Sequence, residues 1–180
     1  MGRNIEFKAK ARDFAHQRTL AESITVSEGQ CFTQHDTFFA VERGRLKLRA
    51  FSDGTGELIY YLREDENGPR PSDYSISKTA SAAALKQILT RVMPVVGEVI
   101  KERHLFLSEQ TRIHFDRVQG LGEFIELEVV LREDQKASEG EVAAMAWMRR
   151  LKIAHEDLIS QAYVDLLSQK ESIDLHCSDG

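Results

Sequence analysis

The stretch FIELEVVL, residues 124–131, alternates between apolar and charged side chains in the manner of a half-buried β-strand. Its apolar face carries Ile125, Leu127, Val129 and Leu131, and its other face carries Glu126 and Glu128 between Phe124 and Val130. Side chains two residues apart on a strand are neighbours, so these two carboxylates repel each other unless a positive group lies between them. The stretch therefore predicts a strand whose two acids need a cationic partner.

The same alternation recurs along the chain. It indicates strands within residues 3–11, 36–52, 56–65, 97–107, 110–119 and 122–131, with a further strand predicted at 72–77. The charged positions that share a face are Glu6, Lys8 and Lys10; Arg45, Lys47 and Arg49; Tyr61 and Arg63; Lys101 and Arg103; and Arg112, His114 and Asp116. Several of these faces are of one sign. Like charges so close repel each other unless an anion binds between them, and the pattern therefore favours anion binding over a merely solvated face.

Three helical segments interrupt the strands, at about 13–22, 80–93 and 138–168, and the last is expected to break near His155. The strands follow one another with few of the strand–helix alternations that a parallel sheet requires, which predicts an antiparallel sheet or barrel of the α+β class. Residues 1–170 are predicted to form one domain, and the polar residues 171–180 a flexible C-terminal tail.

The acids are concentrated on the first and last strands. If the sheet closes into a barrel, Glu6 is expected to lie near Glu126 and Glu128, with the charged faces inside and the apolar faces covered by the helices. Arg and Lys bind phosphate oxygens, and carboxylates bind Mg²⁺ or Mn²⁺, which prefer oxygen ligands. Such a lumen therefore suits a polyphosphate together with a divalent metal.

Composition excludes several classes of protein. The chain has 180 residues, and no apolar run approaches the ~20 residues that cross a bilayer, so no membrane association is expected. The N-terminus lacks the apolar region of a signal peptide, which predicts a cytoplasmic location. The net charge of -5 argues against a general nucleic-acid binder. Cys31 and Cys177 are expected to be reduced thiols, with no clear base beside Cys31.

Five motifs in order resemble a known family. They are NIEFKAK (4–10), QHDTFFAVERGRLKLR (34–49), IYYLRED (59–65), VIKERHLF (99–106) and TRIHFDRVQGLGEFIELE (111–128). The chain resembles the CYTH-domain proteins, or triphosphate tunnel metalloenzymes, and within them the class IV adenylyl cyclase-like branch. This resemblance implies a closed eight-stranded antiparallel β-barrel with flanking helices.

The resemblance also implies roles for residues. Catalytic roles fall to Lys8, Lys101 and Arg103; triphosphate binding to Lys10, Arg45, Lys47, Arg49, Arg63 and Arg112; and metal binding to Glu6, Glu126 and Glu128, with Asp116 as a further ligand or as a residue that orients the site. The metal is expected to be Mg²⁺ or Mn²⁺. The partner is a small-molecule triphosphate, namely ATP, tripolyphosphate or thiamine triphosphate, and a homodimer is a possible assembly.

One position departs from the family pattern Glu-x-Glu-x-Lys, because Asn4 stands where the first glutamate is expected. The loss of this charge predicts a weaker metal site and puts a hydrolytic mechanism in doubt. The leading hypothesis is conversion of ATP to cyclic AMP and pyrophosphate. The alternatives are a triphosphatase, a polyphosphate-binding module without turnover, and an interaction domain whose charged faces point to solvent.

Overall fold

A computed structural model describes residues 2–25 and 28–177 of the chain. The strands are β1 (Gly2–Lys10), β2 (Gln30–Phe39), β3 (Arg45–Ala50), β4 (Gly56–Arg63), β5 (Arg70–Thr79), β6 (Val95–Ser108), β7 (Thr111–Val118), β8 (Gly122–Val130) and β9 (Leu158–Ile159). The helices are α1 (Phe14–Ile24), α2 (Ala82–Val92), α3 (Ala137–Arg150) and α4 (Tyr163–Cys177).

The strands form a closed antiparallel barrel. Their order is β5-β4-β3-β2-β6-β7-β8-β1, and β1 pairs back to β5 to complete the ring. The predicted fold class, a closed eight-stranded antiparallel barrel with flanking helices, is confirmed. The strand predicted at 72–77 lies within β5, and the predicted segment 36–52 contains the hairpin of β2 and β3.

Strand β1 closes the barrel and uses both of its edges. One edge pairs with β8, which places Glu6 opposite Glu128 and Lys8 opposite Glu126. The other edge is shared, because residues 2–6 pair with β5 while Lys8 and Ala9 pair with the short extra strand β9. The acids of the first and last barrel strands therefore meet at the seam, as the closed arrangement predicts.

The apolar faces of the strands point outward into the main core. Ile125, Leu127 and Val129 of β8 are completely buried, and they belong to one cluster with Trp147 and Leu151 at the α3 end. Burying an aliphatic or aromatic side chain of this size contributes about 1.5–3 kcal/mol, so covering the outward faces of β1, β7 and β8 by α1 and α3 fixes which side of these strands faces inward. The charged faces are left to line the interior of the barrel.

The helical segment predicted at 138–168 is interrupted near His155, as expected. Helix α3 ends at Arg150, and a single 3₁₀ turn and β9 precede α4. The chain leaves α3 through Lys152, whose φ of 53° lies in the left-handed region, with Ile153 N donating to Met148 O and Lys152 N to Arg149 O. These two hydrogen bonds define a Schellman end, usually marked by glycine, and a lysine at that position conceals it in the sequence.

Helix α4 continues through residues 171–177 of the predicted tail, whereas 178–180 lie outside the described residues. The division into one domain and a flexible tail stays a prediction. No helix in the described part of the chain is long and apolar enough to span a membrane.

Candidate active site

A cavity of about 370 Å³ runs inside the barrel and is lined by side chains from all eight barrel strands; we call it the tunnel. The predicted site residues that line it are Lys8, Lys47, Arg49, Arg63, Lys101, Arg103, Arg112, Glu6, Glu126 and Glu128. Asn4 and Asp36 line it as well. The inward alternation therefore brings together most of the basic and acidic positions that the strand pattern singled out.

Three predicted site residues lie away from the tunnel wall. Lys10, at the end of β1, is exposed. Arg45 pairs with Asp65 at 2.9 Å and with Asp165 of α4 at 2.7 Å. Asp116 is completely buried behind the wall. The structure thus places Lys10 and Arg45 outside the cavity, and it places Asp116 where it contacts wall residues.

Asp116 holds the β6 cations in position. Its carboxylate accepts hydrogen bonds from Arg103 Nε and Nη2, both at 2.6 Å, from Lys101 Nζ at 3.2 Å and from the Tyr163 hydroxyl at 3.0 Å. Burial raises the pKa of Asp116, but Arg103 and Lys101 outweigh it and lower that pKa to about 2. With its oxygens engaged by four donors, Asp116 fits the orienting role better than the role of metal ligand.

Glu126 is surrounded by cations. It contacts Arg103 Nη2, Lys8 Nζ at 3.2 Å and Lys101 Nζ at 3.9 Å. Burial raises the pKa of Glu126, yet the charges of Lys101, Lys8 and Arg103 hold that pKa well below its usual value. The carboxylate is therefore charged and already neutralised by the protein, which leaves it less available to a metal ion.

Lys8 lies at the centre of the tunnel. Its Nζ donates to the carbonyl of Gln161 at 3.2 Å and sits 3.6 Å from the ring centroid of Tyr163. Burial lowers the pKa of Lys8 to about 8, against the opposing attraction of Glu126. Near neutral pH this lysine is charged, and it can lose a proton at modestly alkaline pH.

A second cluster of opposite charges lines the wall between β2 and β3. Asp36 accepts from Lys47 Nζ at 2.9 Å and from Arg49 Nε and Nη2 at 2.8 and 2.9 Å. Burial lowers the pKa of Lys47 to about 8. Asp36 was not among the predicted site residues, although it shares one face of β2 with Gln34 and Phe38.

A facing pair of acids, Glu6 and Glu128, lies at the seam between β1 and β8. Glu6 accepts from Arg63 Nη1 at 3.0 Å, and Glu128 from Arg112 Nη1 at 3.3 Å. Burial, followed by the charge of Glu6, raises the pKa of Glu128. A carboxylate whose pKa is raised by burial and by a facing carboxylate is a favourable place for a divalent cation.

Asn4 completes this seam. Its side chain is buried, and within the described residues its Oδ1 atom has no hydrogen-bond partner. An unpaired buried amide oxygen beside two carboxylates matches the oxygen ligands that Mg²⁺ and Mn²⁺ take in proteins. Asn4, Glu6 and Glu128 therefore fit a metal site, which we call the seam site.

Two further residues of the site carried no signal in the sequence. Tyr163, at the start of α4, lies in the part of the predicted segment 138–168 beyond the break expected near His155, and it contacts both Lys8 and Asp116. Arg70 is buried at the end of β5, and its Nη2 donates to the carbonyl of Ser160, which also accepts from Arg63 Nη2. Both contacts depend on the chain reversal after α3, which the periodicity did not predict.

Comparison with known proteins agrees with this geometry. The CYTH domain family matches residues 2–163. A sequence comparison with curated proteins finds no match. Among solved structures, the PH1012 protein of Pyrococcus horikoshii OT3 is similar with a TM-score of 0.81 and 20% identity, covering 91% of this chain and 99% of that chain.

Two other solved structures carry a described activity. A Vibrio parahaemolyticus protein described as a candidate adenylate cyclase has a TM-score of 0.73 and 16% identity, covering 92% of this chain and 97% of that chain. A Hippeastrum protein described as a candidate adenylyl cyclase with a dominant triphosphatase activity has a TM-score of 0.64 and 12% identity, covering 94% and 96%. At sequence identities of 20% or less, the similarity to these three structures shows a common fold and nothing more.

Proposed function

The chain belongs to the CYTH-domain family, and we propose that it is a metal-dependent enzyme that acts on a small-molecule triphosphate bound in the tunnel. One observation carries the proposal. A closed barrel points basic side chains from five strands into one cavity and leaves one pair of acids, Glu6 and Glu128, facing each other at its seam. A sheet face exposed to solvent would not enclose these basic and acidic side chains in one cavity.

The basic side chains are arranged for phosphate oxygens. Asp116 and Asp36 fix Arg103 and Arg49 from behind, each through two hydrogen bonds to one guanidinium. A guanidinium held in one orientation loses little conformational entropy when its remaining N–H groups bind an anion. We infer that the tunnel is preorganised for a polyphosphate chain.

The seam site is the place for the metal. Asn4, Glu6 and Glu128 would hold Mg²⁺ or Mn²⁺ at this seam. When bound, the metal neutralises phosphate charge and lowers the pKa of the attacking hydroxyl or water. Glu126, engaged by Lys8 and Arg103, would orient these cations rather than bind the metal.

The protein's own residues supply the rest of the chemistry. Lys8, Lys101 and Arg103 would stabilise the charge that develops on the transferred and leaving phosphates, because they are fixed before the substrate arrives. The enclosing wall excludes bulk water from these groups.

We propose cyclisation as the leading reaction, in which the ribose 3′-hydroxyl of ATP attacks the α-phosphorus to give cyclic AMP and pyrophosphate. Asn4 supports this choice, because hydrolysis in the family is expected to use the paired acids of the first strand, and here one of them is an amide. Hydrolysis of tripolyphosphate, thiamine triphosphate or a nucleoside triphosphate is the second candidate. It is favoured by the triphosphatase activity described for the Hippeastrum protein.

Incubation of the protein with Mn²⁺ or Mg²⁺ and each of ATP, tripolyphosphate and thiamine triphosphate, with the products separated, tests the proposal. Cyclic AMP with pyrophosphate indicates the cyclase, and free phosphate indicates the triphosphatase. Either activity should disappear in Glu128→Gln and persist in Glu123→Gln, whose side chain lies on the outer face of the same strand. Tight binding without turnover would indicate a binding module. The absence of both binding and turnover would overturn the tunnel assignment.

A further inference from the structure

A second group of metal-binding side chains lies on the outside of the barrel, on β2 and β6. Cys31 of β2 lies directly opposite His104 of β6, and Glu102 is two residues before His104 on the same face. Their neighbours Phe32 and Arg103 point into the tunnel, so these three side chains point away from it. We call this group the outer-wall cluster.

The three side chains converge on one point. Cys31 Sγ lies 3.8 Å from His104 Nε2, and Glu102 Oε1 lies 3.4 Å from the same nitrogen. One ligand atom from each of the three residues lies within 4.8 Å of the other two. A thiol, an imidazole nitrogen and a carboxylate oxygen therefore lie close enough together to contact one ion.

These distances match those between neighbouring ligands of one tetrahedral ion. With Zn–S of about 2.3 Å and Zn–N and Zn–O of about 2.05 Å, tetrahedral angles place sulfur about 3.6 Å from nitrogen, and nitrogen about 3.3 Å from oxygen. The observed separations exceed these by a small margin that side-chain rotation can remove. The open fourth position faces solvent and is suited to a water molecule.

The same geometry argues against a nucleophilic cysteine. A catalytic Cys–His–acid arrangement needs the thiol on one ring nitrogen and the acid on the other, so that the acid orients the ring. Here both Cys31 and Glu102 approach His104 Nε2. A shared cation explains why both groups approach the same nitrogen atom. A proton relay does not, because it needs one group on each ring nitrogen.

The charges also balance. A thiolate, a carboxylate and a neutral imidazole together carry two negative charges, which compensate a divalent ion. Arg117 contacts Glu102 at 3.4 Å in the absence of an ion, but it also contacts Glu123 at 3.0 Å and therefore keeps an acidic partner when Glu102 turns to the metal. Arg117 is thus a weak competitor for the site.

We propose that Cys31, Glu102 and His104 form a binding site for a zinc-class divalent cation, separate from the tunnel. Thiolate and imidazole ligands select Zn²⁺ and Co²⁺ over Mg²⁺, whereas the oxygen ligands of the seam site favour Mg²⁺ or Mn²⁺. The two sites therefore take different metals. An ion here would tie β2 to β6 across the position where Phe32 pairs with Arg103, a tunnel residue.

Titration of the reduced protein with Co²⁺, followed by absorption spectroscopy, tests the proposal directly. We expect one equivalent of Co²⁺ to produce a thiolate-to-cobalt charge-transfer band with visible bands of tetrahedral cobalt, a signature that the oxygen ligands of the seam site cannot give. The band should be absent in Cys31→Ser and present in Cys177→Ser, which controls for the second cysteine. It should persist in Glu128→Gln, which removes a seam ligand.

Affinity gives a second, graded readout. Loss of an outer-shell partner already weakens metal sites about 10–100-fold, so His104→Ala should weaken Co²⁺ binding at least tenfold. Arg117→Ala should strengthen it by freeing Glu102. Zn²⁺ should raise the melting temperature of the wild-type protein and of Glu128→Gln but not that of Cys31→Ser. A charge-transfer band that survives Cys31→Ser, or no band at saturating Co²⁺, would overturn the site.

Discussion

Glu6 and Glu128 lie directly opposite each other on β1 and β8, and both line the tunnel. Like charges at opposed positions of an antiparallel pair destabilise a sheet. Arg63 offsets the charge of Glu6 at 3.0 Å. Glu128 has a longer contact of 3.3 Å to Arg112, whose side chain is 42% exposed, and lies 3.9 Å from the imidazole of His114. The fold thus keeps a repulsive pair at the one place where a divalent ion would relieve it.

Changing Glu128 to Gln should separate stability from activity. Because burial and Glu6 raise the pKa of Glu128, its charged form destabilises the folded protein, and the variant should be more stable without metal. The gain in stability should be larger at pH 8 than at pH 4. As the pH rises through the raised pKa of Glu128, the wild-type side chain becomes charged and destabilises the folded protein, whereas Gln stays neutral. Metal-dependent turnover should fall at least about tenfold, because the variant loses a charged metal ligand and loss of an outer-shell partner alone costs about 10–100-fold.

Urea denaturation at the two pH values, with turnover measured in parallel, checks this prediction. Glu123→Gln on the outer face of β8 is the matched control, and its stability should change by no more than about 0.5 kcal/mol. A Glu128→Gln protein with wild-type turnover would remove this residue from the site.

Asn4→Asp should strengthen the seam site. The variant keeps the size of the side chain and adds a negative charge about 7 Å along the strand from Glu6. We expect tighter Mn²⁺ binding in the absence of substrate, and higher turnover if a second ion limits the reaction. The wild-type protein should bind Mn²⁺ weakly alone and more tightly with a non-reactive triphosphate analogue, because Mg²⁺ and similar ions shed water reluctantly for a neutral amide.

Calorimetric titration of Mn²⁺ with and without the analogue measures both effects. Asn4→Ala removes the amide oxygen and should weaken binding further, whereas Asn4→Glu should act like Asn4→Asp. Tight binding of two ions by the wild-type protein without substrate would contradict this reading of the amide.

Lys8→Met and Lys10→Met form a matched pair on β1. Lys8 lies in the tunnel and Lys10 does not, so only Lys8→Met should weaken tripolyphosphate binding, by about ten- to a hundredfold if one charged hydrogen bond is lost. The pKa of Lys8 is about 8, and wild-type affinity should therefore fall between pH 7 and pH 9 as this lysine loses its proton. In Lys8→Met the affinity should fall less over the same pH range. The remaining fall comes from Lys47, whose pKa is also about 8.

Calorimetry in metal-free buffer at pH 7 and 9 isolates this effect. Equal losses in the two variants would show that the substrate also contacts the exposed end of β1, as the sequence analysis expected for Lys10.

Asp116→Asn should be strongly destabilising. Removing one partner of a buried ion pair costs about 3–5 kcal/mol, because the remaining charge is left without compensation. With a pKa of about 2 against an ordinary value of 3.8, Asp116 contributes stability above pH 4 that is lost as the pH falls towards 2. Chemical denaturation at pH 7 and pH 3 should show the difference between wild type and variant narrowing at the lower pH.

The exposed pair Arg12–Glu156 provides the control. Glu156→Gln should leave stability nearly unchanged, because solvent screens surface charges. A small effect of Asp116→Asn, equal to that of the control, would show that the tunnel cations are held by other contacts.

The alternation of apolar and charged residues was enough to predict the barrel wall. Strands such as β1 and β8 bury their apolar face against the helices, so the side that holds Lys8 or Glu126 follows from a period of two. The pairing at the seam was also within reach, because acids gathered on the first and last barrel strands. These features are local in the sequence and need only closure of the sheet to become a site.

Other parts of the site depend on long-range geometry. Lys152 in a left-handed conformation turns the chain after α3, and this reversal brings Tyr163 beside Lys8. A lysine gives no sign of such a turn. Arg45 and Lys10 satisfy the alternation but lie towards strand ends, where the inward face has already left the cavity. The period of two in the sequence shows which face of a strand a residue lies on. Only the packed structure shows where that residue lies along the barrel axis.

The closing role of β1 has a consequence for how the protein folds. This strand is the first to be synthesised, yet Asn4 pairs with Val130, so the ring cannot close until almost the whole barrel has been made. Contacts between such distant segments give slow folding, typically in milliseconds to seconds for β-rich topologies. The hairpins of β2 to β4 and β6 to β8 can form before that step. The proposed triphosphate site includes Lys8 of β1, and the appearance of triphosphate binding during refolding should therefore report the final closure of the barrel.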